Sequence, residues 1–115
     1  PVRMISVVNS EVLQVFGGGA ANIEMPGTDL TIPIPVPVEG RYRIEVKPIY
    51  SLLEKPMKMW IGNGSKVEAS RQELPNENSG PFLFVGEADS KNGQLSLNVT
   101  SESMIALQAI LLTAL

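Results

Sequence analysis

The sequence predicts an all-β domain built as a β-sandwich, and two observations carry that prediction. Segments in which apolar and polar residues alternate recur along the chain, and this period of two is the period of a half-buried strand. Turn signals rich in Gly, Asn and Pro separate these segments at intervals of about 8–12 residues, which is typical of sandwiches. We therefore expect residues 1–115 to form a single β-sandwich domain.

The clearest predicted element is Thr31–Val38, where prolines alternate with Ile and Val. Pro33, Pro35 and Pro37 share one side of the chain and cannot donate backbone hydrogen bonds there. Proline is accepted in a sheet only where no ladder bond is needed, so the pattern predicts an edge strand protected against pairing with another edge. A polyproline-like segment is the alternative. The side chains expected in the core are Ile32, Ile34, Val36 and Val38.

The same alternation predicts the strands that follow. In Arg41–Lys47, the apolar residues Tyr42, Ile44 and Val46 share one face, which is expected to be buried. Strands at residues 57–61 and 66–69 flank an Asn-Gly pair, the strongest short hairpin signal. Residues 71–80 are polar and are expected to form a loop. Further strands are expected at residues 4–8, 12–16, 82–85 and 94–99.

The end of the chain, residues 104–115, allows two interpretations. Its Ala and Leu content would suit a helix. Its apolar residues occupy every side of a helical projection, however, and a central strand buried on both faces fits equally well. Because strands dominate the chain before this segment, we predict a strand.

The composition excludes several classes of function. The chain has no His and no Cys, which removes an imidazole base, a thiolate nucleophile and the usual zinc ligands. Its formal net charge is −3, and its Lys and Arg residues are scattered, so no basic surface for nucleic acid is expected. No apolar run reaches the ~18–20 residues that cross a bilayer. We therefore predict a non-enzymatic domain without a nucleic-acid or membrane partner.

Three stretches of the chain are similar to one known family. They are GTDLTIPIPVPVEGRYRIEVKPIY (residues 27–50), MKMWIGNGSKVEA (57–69) and NGQLSLNVTSESMIALQAILLTAL (92–115). In the first, Val36–Gly40 matches a Val-Pro-x-x-Gly turn, and Arg41–Arg43 opens a strand that contains Tyr and Arg. These stretches resemble the galactose-binding-like β-sandwich superfamily, which is rich in carbohydrate-binding modules.

The resemblance implies a jelly roll of about eight antiparallel strands. It implies a non-catalytic accessory module, excised from a larger secreted or cell-surface protein, that binds a polysaccharide or oligosaccharide for a covalently attached catalytic or surface domain. Relatives often hold a structural calcium ion with an acidic residue of the last strand. This chain has the amide of Gln108 there. The amide argues against calcium, and no other cofactor is expected.

Sugar recognition needs an aromatic face for the ring and polar groups for the hydroxyls, which singles out five residues. Trp60 is expected to point outward if its neighbours Met57 and Met59 point inward. Tyr50 lies at a loop entrance, and Asn76 and Asn78 lie in the 71–80 loop. The ligand-binding residues predicted from the sequence are Trp60, Tyr50, Arg43, Asn76 and Asn78. Tyr42, Phe82 and Phe84 are expected in the core.

A second class of function stays open at this point. In a structural or assembly domain of a phage or cell surface, Trp60 and the methionines would form a protein–protein interface. The low aromatic content, 5% of residues, favours this alternative, because sugar-binding domains usually expose more rings.

Overall fold

The protein is all-β in the part of the chain that the structure, a computed structural model, describes: residues 3–8, 22–23, 28–36, 38–75, 80–102 and 105–115. The described helical structure is a single 3-10 turn, Tyr50–Leu52, and no described helix has the length and apolar character to cross a membrane. The strands are β1 (Arg3–Val8), β2 (Asn22–Ile23), β3 (Thr28–Pro35), β4 (Arg41–Pro48), β5 (Met57–Ile61), β6 (Val67–Ala69), β7 (Leu83–Asp89), β8 (Gln94–Ser101) and β9 (Ile105–Ala114). The predicted strand at residues 12–16 lies outside the described residues.

These strands form two antiparallel sheets. In the first, which we call the β9 sheet, the order is β1-β9-β4-β7, and β2 also pairs with β9. In the second, the β8 sheet, the order is β3-β8-β5-β6. The prediction of an all-β antiparallel fold is therefore confirmed.

The inner faces of the two sheets contribute to one hydrophobic cluster. From the β8 sheet come Ile32, Ile34, Met57, Met59, Leu95, Leu97 and Val99. From the β9 sheet come Tyr42, Ile44, Val46, Val85, Ile105, Leu107, Ile110 and Leu112. In β3, β4, β5 and β8, alternate residues enter this cluster, so the residues between them are directed to the outside of the sheets.

The proline-rich strand lies at one end of the β8 sheet, where the prolines predict an edge strand. Val36 N–H donates to Gly93 O at 2.9 Å, so the backbone N–H and C=O groups of even-numbered residues face β8. The backbone nitrogens of Pro33 and Pro35 therefore face away from β8, toward the open edge. The strand ends at Pro35, before the predicted limit. The expectation that Val38 is in the core is wrong: Val38 is exposed in the following turn, where its carbonyl accepts a 2.6 Å hydrogen bond from Tyr42 Oη.

The predicted hairpin is confirmed in β5 and β6. Gly62 has a φ of +55°, and Gly64 N–H donates to Ile61 O at 2.9 Å, which closes the turn. Met59 pairs with Val67, and Met57, Met59 and Ile61 are buried. Lys58 and Trp60 therefore lie on the outer face of the β8 sheet, as the alternation predicts.

The end of the chain is a strand, β9, which lies between β1 and β4. The prediction of a central strand is confirmed, but only one face is fully buried. A register shift between Lys47 and Pro48 of β4 lies opposite Gln108. Before this point the odd-numbered residues of β9 are buried, as far as Leu107, and after it the even-numbered residues Ile110 and Leu112 are buried. On the other face Ala109, Leu111 and Thr113 are half-buried.

The expectation that Phe82 and Phe84 are core residues is wrong. Leu83 and Val85 point inward, so the strand period turns Phe82 and Phe84 outward, where they are 36% and 47% exposed. Lys47 Nζ lies 5.4 Å from the centroid of the Phe82 ring, and the Arg43 guanidinium lies 4.5 Å from that of Phe84. The two rings thus form a partly covered patch on the outside of β7.

Candidate ligand-binding face

The outer face of the β8 sheet carries the half-buried side chain of Trp60 among polar residues, and we call it the Trp60 face. Strand pairing arranges its side chains in rows that run across the sheet. One row contains Thr31, Asn98 and Trp60; the next contains Asp29, Thr100, Lys58 and Glu68.

In the first row, an amide is held beside the indole. Asn98 is the register partner of both Thr31 and Trp60. Thr31 Oγ1 donates to Asn98 Oδ1 at 3.1 Å, which orients the amide. Within the described residues, the Asn98 amide donors make no hydrogen bond to protein. A half-buried aromatic ring and an oriented amide therefore lie side by side on this face.

The second row places polar groups one step further along the strands. Thr100 Oγ1 donates to Asp29 Oδ1 at 2.5 Å, and Thr100 also faces Lys58 across β8 and β5. A shallow groove of about 360 Å³ begins here. It is lined by Pro56, Lys58, Glu68, Thr100, Ser101 and Glu102.

The β5–β6 hairpin brings a cation onto the indole. Lys66 follows the turn and lies one step beyond the Met59–Val67 pair, which puts it opposite Trp60. Lys66 Nζ lies 4.7 Å from the centroid of the Trp60 ring, within the range of a cation–π contact. The indole is thus covered in part by an exposed, flexible side chain.

Tyr50 is placed in the interior instead of at a loop surface. Its side chain is 1% exposed, and Tyr50 Oη donates to Pro81 O at 2.6 Å. Burial raises the pKa of this phenol above its usual value, because the phenolate would lose solvation. Gly80 lies against the ring, since a methyl group at that position would overlap it. The ring has no open face, which points to a packing role and away from ligand contact.

Arg43 is exposed, but it belongs to the other side of the molecule. It lies on the outer face of the β9 sheet, where its guanidinium covers Phe84 and its Nε lies 3.2 Å from Glu45 Oε1. The structure therefore does not bring Arg43 together with Trp60. Asn76 and Asn78 lie outside the described residues, so their predicted binding role stays a prediction.

Sequence reasoning singled out Trp60 but missed its neighbours Asn98, Thr31 and Lys66. For Lys66 the local signal was misleading, because a two-residue loop at Asn63–Gly64 would place Lys66 opposite Ile61, one residue away from the observed register. For Asn98 and Thr31 the sequence shows only that each occupies a polar position in an alternating strand, which predicts an outward-facing side chain but no neighbour. That β8 lies between β3 and β5 depends on long-range pairing, which local patterns do not contain.

The donor groups of the described residues do not fit the structural calcium ion that the family resemblance implies. No three Asp or Glu residues of the described segments are grouped as metal ligands, and the last strand offers the amide of Gln108. Ca²⁺ takes about six to eight oxygen ligands, usually with carboxylates among them, and the described segments hold no such cluster of acidic side chains.

No family model, no curated protein and no solved structure was found to match the chain. We therefore infer the function from the geometry of the Trp60 face.

Proposed function

We propose that this chain is a non-catalytic carbohydrate-binding domain whose ligand lies across the Trp60 face. The observation that carries the proposal is the register pair of Trp60 and Asn98 on the outside of the β8 sheet. An indole face accepts the C–H surface of a pyranose ring, and an adjacent amide fixes the positions of its hydroxyls. An exposed aromatic residue with polar neighbours is the usual mark of such a surface.

The chemistry of the face suits an extended ligand. Rows two residues apart along a strand are separated by about 6.6 Å, so one sugar unit over Trp60 would bring its neighbour near Lys58 and Thr100. Thr100 and Lys58 supply hydroxyl and ammonium groups there, and the groove beside them is open. In this proposal the domain performs no reaction and serves to hold a polymer.

The proposal includes a jelly-roll topology in a β-sandwich. The orders β1-β9-β4-β7 and β3-β8-β5-β6 support it. Along the chain, the pairs β5 with β6, β4 with β7 and β3 with β8 are nested around one another, and successive pairs lie alternately in the β8 sheet and the β9 sheet. Two Greek keys give this arrangement. With β2 counted as an extension beside β9, this corresponds to about eight strands. Lectin domains are among the proteins with this architecture.

The proposal also assigns the chain to a secreted or cell-surface protein in which it is covalently joined to a catalytic or surface domain. Its role there would be to raise the effective concentration of that domain at the polysaccharide. Membership of the galactose-binding-like superfamily is part of this proposal and is supported by the three stretches quoted above.

Affinity electrophoresis through gels that contain different polysaccharides tests the function, with each gel run in calcium and in chelator. We expect retardation by at least one polymer, without dependence on calcium, and loss of that retardation in Trp60→Ala. Phe84→Ala is the matched control, since it removes an exposed ring from the opposite sheet. Unchanged mobility across a broad panel would overturn the proposal.

A second candidate function is favoured by one observation, the exposed patch of Phe82 and Phe84 on β7. In an assembly domain this patch would contact another protein. Light scattering over a range of concentrations separates the two functions. A stable oligomer that Phe82→Ser and Phe84→Ser disperse would favour assembly, whereas a monomer that binds a polysaccharide would favour carbohydrate recognition.

A further inference from the structure

Lys66 occupies part of the surface on which a sugar would stack. Its ammonium lies 4.7 Å from the centroid of the Trp60 ring. A neutral sugar that stacks there must displace the ammonium and lose the cation–π attraction without replacing it. A sugar that carries a negative charge can displace the ammonium and pair with it in the same step. The position of Lys66 therefore discriminates between neutral and anionic ligands.

Lys58 adds a second positive charge, which forms no ion pair within the described segments although Glu68 is its register partner. Arg41, Arg43, Lys55 and Arg71 each form an ion pair with Asp or Glu within the described segments. Neither Lys58 nor Lys66 forms one there, although both are exposed on the same face as Trp60. Lys66 Nζ lies over the indole, and Lys58 lies two residues before Trp60 on the same face of β5.

The carboxylates on this face belong to the second row. Asp29 accepts a 2.5 Å hydrogen bond from Thr100, and Glu68 is the register partner of Lys58. The row of Trp60, by contrast, contains the cation of Lys66 and the neutral groups Asn98 and Thr31. The charged group in contact with the indole is thus the Lys66 ammonium.

The geometry points to an anionic saccharide, which carries a carboxylate or a sulfate group, as the ligand of the Trp60 face. This inference rests on the proposed function and specifies its ligand class. The sugar ring stacks on Trp60, Lys66 leaves the ring to pair with the acidic group, and Lys58 approaches the same group from the neighbouring row. The Asn98 amide binds the ring hydroxyls.

The test compares polymers that differ only in charge. Polygalacturonate is run against its carboxyl-reduced form, and a sulfated galactan against its desulfated form, by affinity electrophoresis of the whole chain. The variants are Lys58→Met, Lys66→Met and Trp60→Ala. Lys91→Met is the matched control, because Lys91 is an exposed lysine without an ion pair in the described segments and lies at the turn before β8.

We expect stronger retardation by the charged form of at least one pair. Each of Lys58→Met and Lys66→Met should weaken that affinity about two- to fivefold, the range of an exposed ion pair, and Lys91→Met should not. Trp60→Ala should abolish the retardation. The chain itself has a net charge of −3, so general attraction to a polyanion works against this result.

Three outcomes would overturn the inference. Equal retardation by charged and neutral forms would leave the carbohydrate-binding function in place and remove the preference for charge. Retardation that survives Trp60→Ala, or that Lys91→Met weakens equally, would mean ion exchange instead of recognition. An absence of retardation in every gel would remove the proposed function together with the inference.

Discussion

Asn98 lies opposite Trp60 across β8 and β5, and its Oδ1 accepts a 3.1 Å hydrogen bond from Thr31 Oγ1. The amide is therefore oriented by a third strand before any ligand arrives. Groups held in place in this way lose less conformational freedom on binding, which favours affinity. The relationship explains how a nearly flat sheet surface can offer a defined site.

Replacing Asn98 should weaken polysaccharide binding without unfolding the protein. Asn98→Ala removes the amide that faces the indole, and the loss of one or two hydrogen bonds costs about 1–2 kcal/mol, roughly five- to thirtyfold in affinity. Isothermal titration or quantitative gel retardation measures this. Ser96→Ala, two residues away on the same face of β8, is the control. Equal binding by wild type and Asn98→Ala would place the site elsewhere.

Gly80 should tolerate no side chain. A methyl group at this position would overlap Cδ2 and Cε2 of the Tyr50 ring and approach Leu74 Cδ1 at 3.0 Å. Because Tyr50 is buried, Gly80→Ala should lower the free energy of unfolding by about 1–3 kcal/mol, the usual cost of overpacking. Urea denaturation measures this cost. Gly40→Ala is the control, since nothing lies within 4 Å of its added methyl group; equal losses in both variants would contradict the packing.

The free energy of unfolding should fall in alkali because the buried Tyr50 phenol loses its proton. Burial raises the pKa of its phenol above the usual value of about 10, so the unfolded chain loses this proton at a lower pH than the folded protein. The resulting stabilisation is complete below about pH 10 and falls as the pH rises through the higher, folded pKa. Urea denaturation from pH 8 upward should show this loss.

Tyr50→Phe separates this effect from other alkaline titrations. The variant should lose about 1 kcal/mol at neutral pH, because the hydrogen bond to Pro81 O is gone. Its free energy of unfolding should then fall less than that of the wild type above pH 10. Parallel pH profiles for the two proteins would show that Tyr50 does not carry the predicted linkage.

The prolines of β3 should protect its open edge. The backbone nitrogens of Pro33 and Pro35 face away from β8, at the open edge of the sheet, and they carry no hydrogen to donate to another strand. The double variant Pro33→Thr, Pro35→Thr should fold but associate more readily, because it restores two backbone donors at that edge. Light scattering after prolonged incubation measures the association. A double variant as monodisperse as the wild type would contradict this role.

The strands were predictable wherever apolar and polar residues alternate cleanly. β4, β5 and β8 follow such patterns, and the Asn-Gly pair predicts that a hairpin joins β5 and β6, although the observed turn has Gly62 and Asn63 at its centre. The edge position of β3 followed from its prolines alone. These signals are local, since each depends on residues that are close together in the chain.

The errors arose where the outcome depends on partners distant in the chain. Phe82 and Phe84 look like core residues until Leu83 and Val85 take the inner face and cations from β4 cover the rings. Tyr50 does lie in the connection between β4 and β5, but its burial depends on packing against Gly80, thirty positions further along the chain. Arg43 and Trp60 are on opposite sheets, which no single-strand pattern could reveal.

The central claim is that a polysaccharide covers Trp60, and the emission of this residue tests it most directly. The chain contains one Trp, so its fluorescence reports on this face alone. Titration with a polymer that retards the protein should shift or quench the Trp60 emission. The change should be half complete at the polymer concentration that gives half-maximal retardation in the gel. Binding that leaves the emission of Trp60 unchanged would contradict the account.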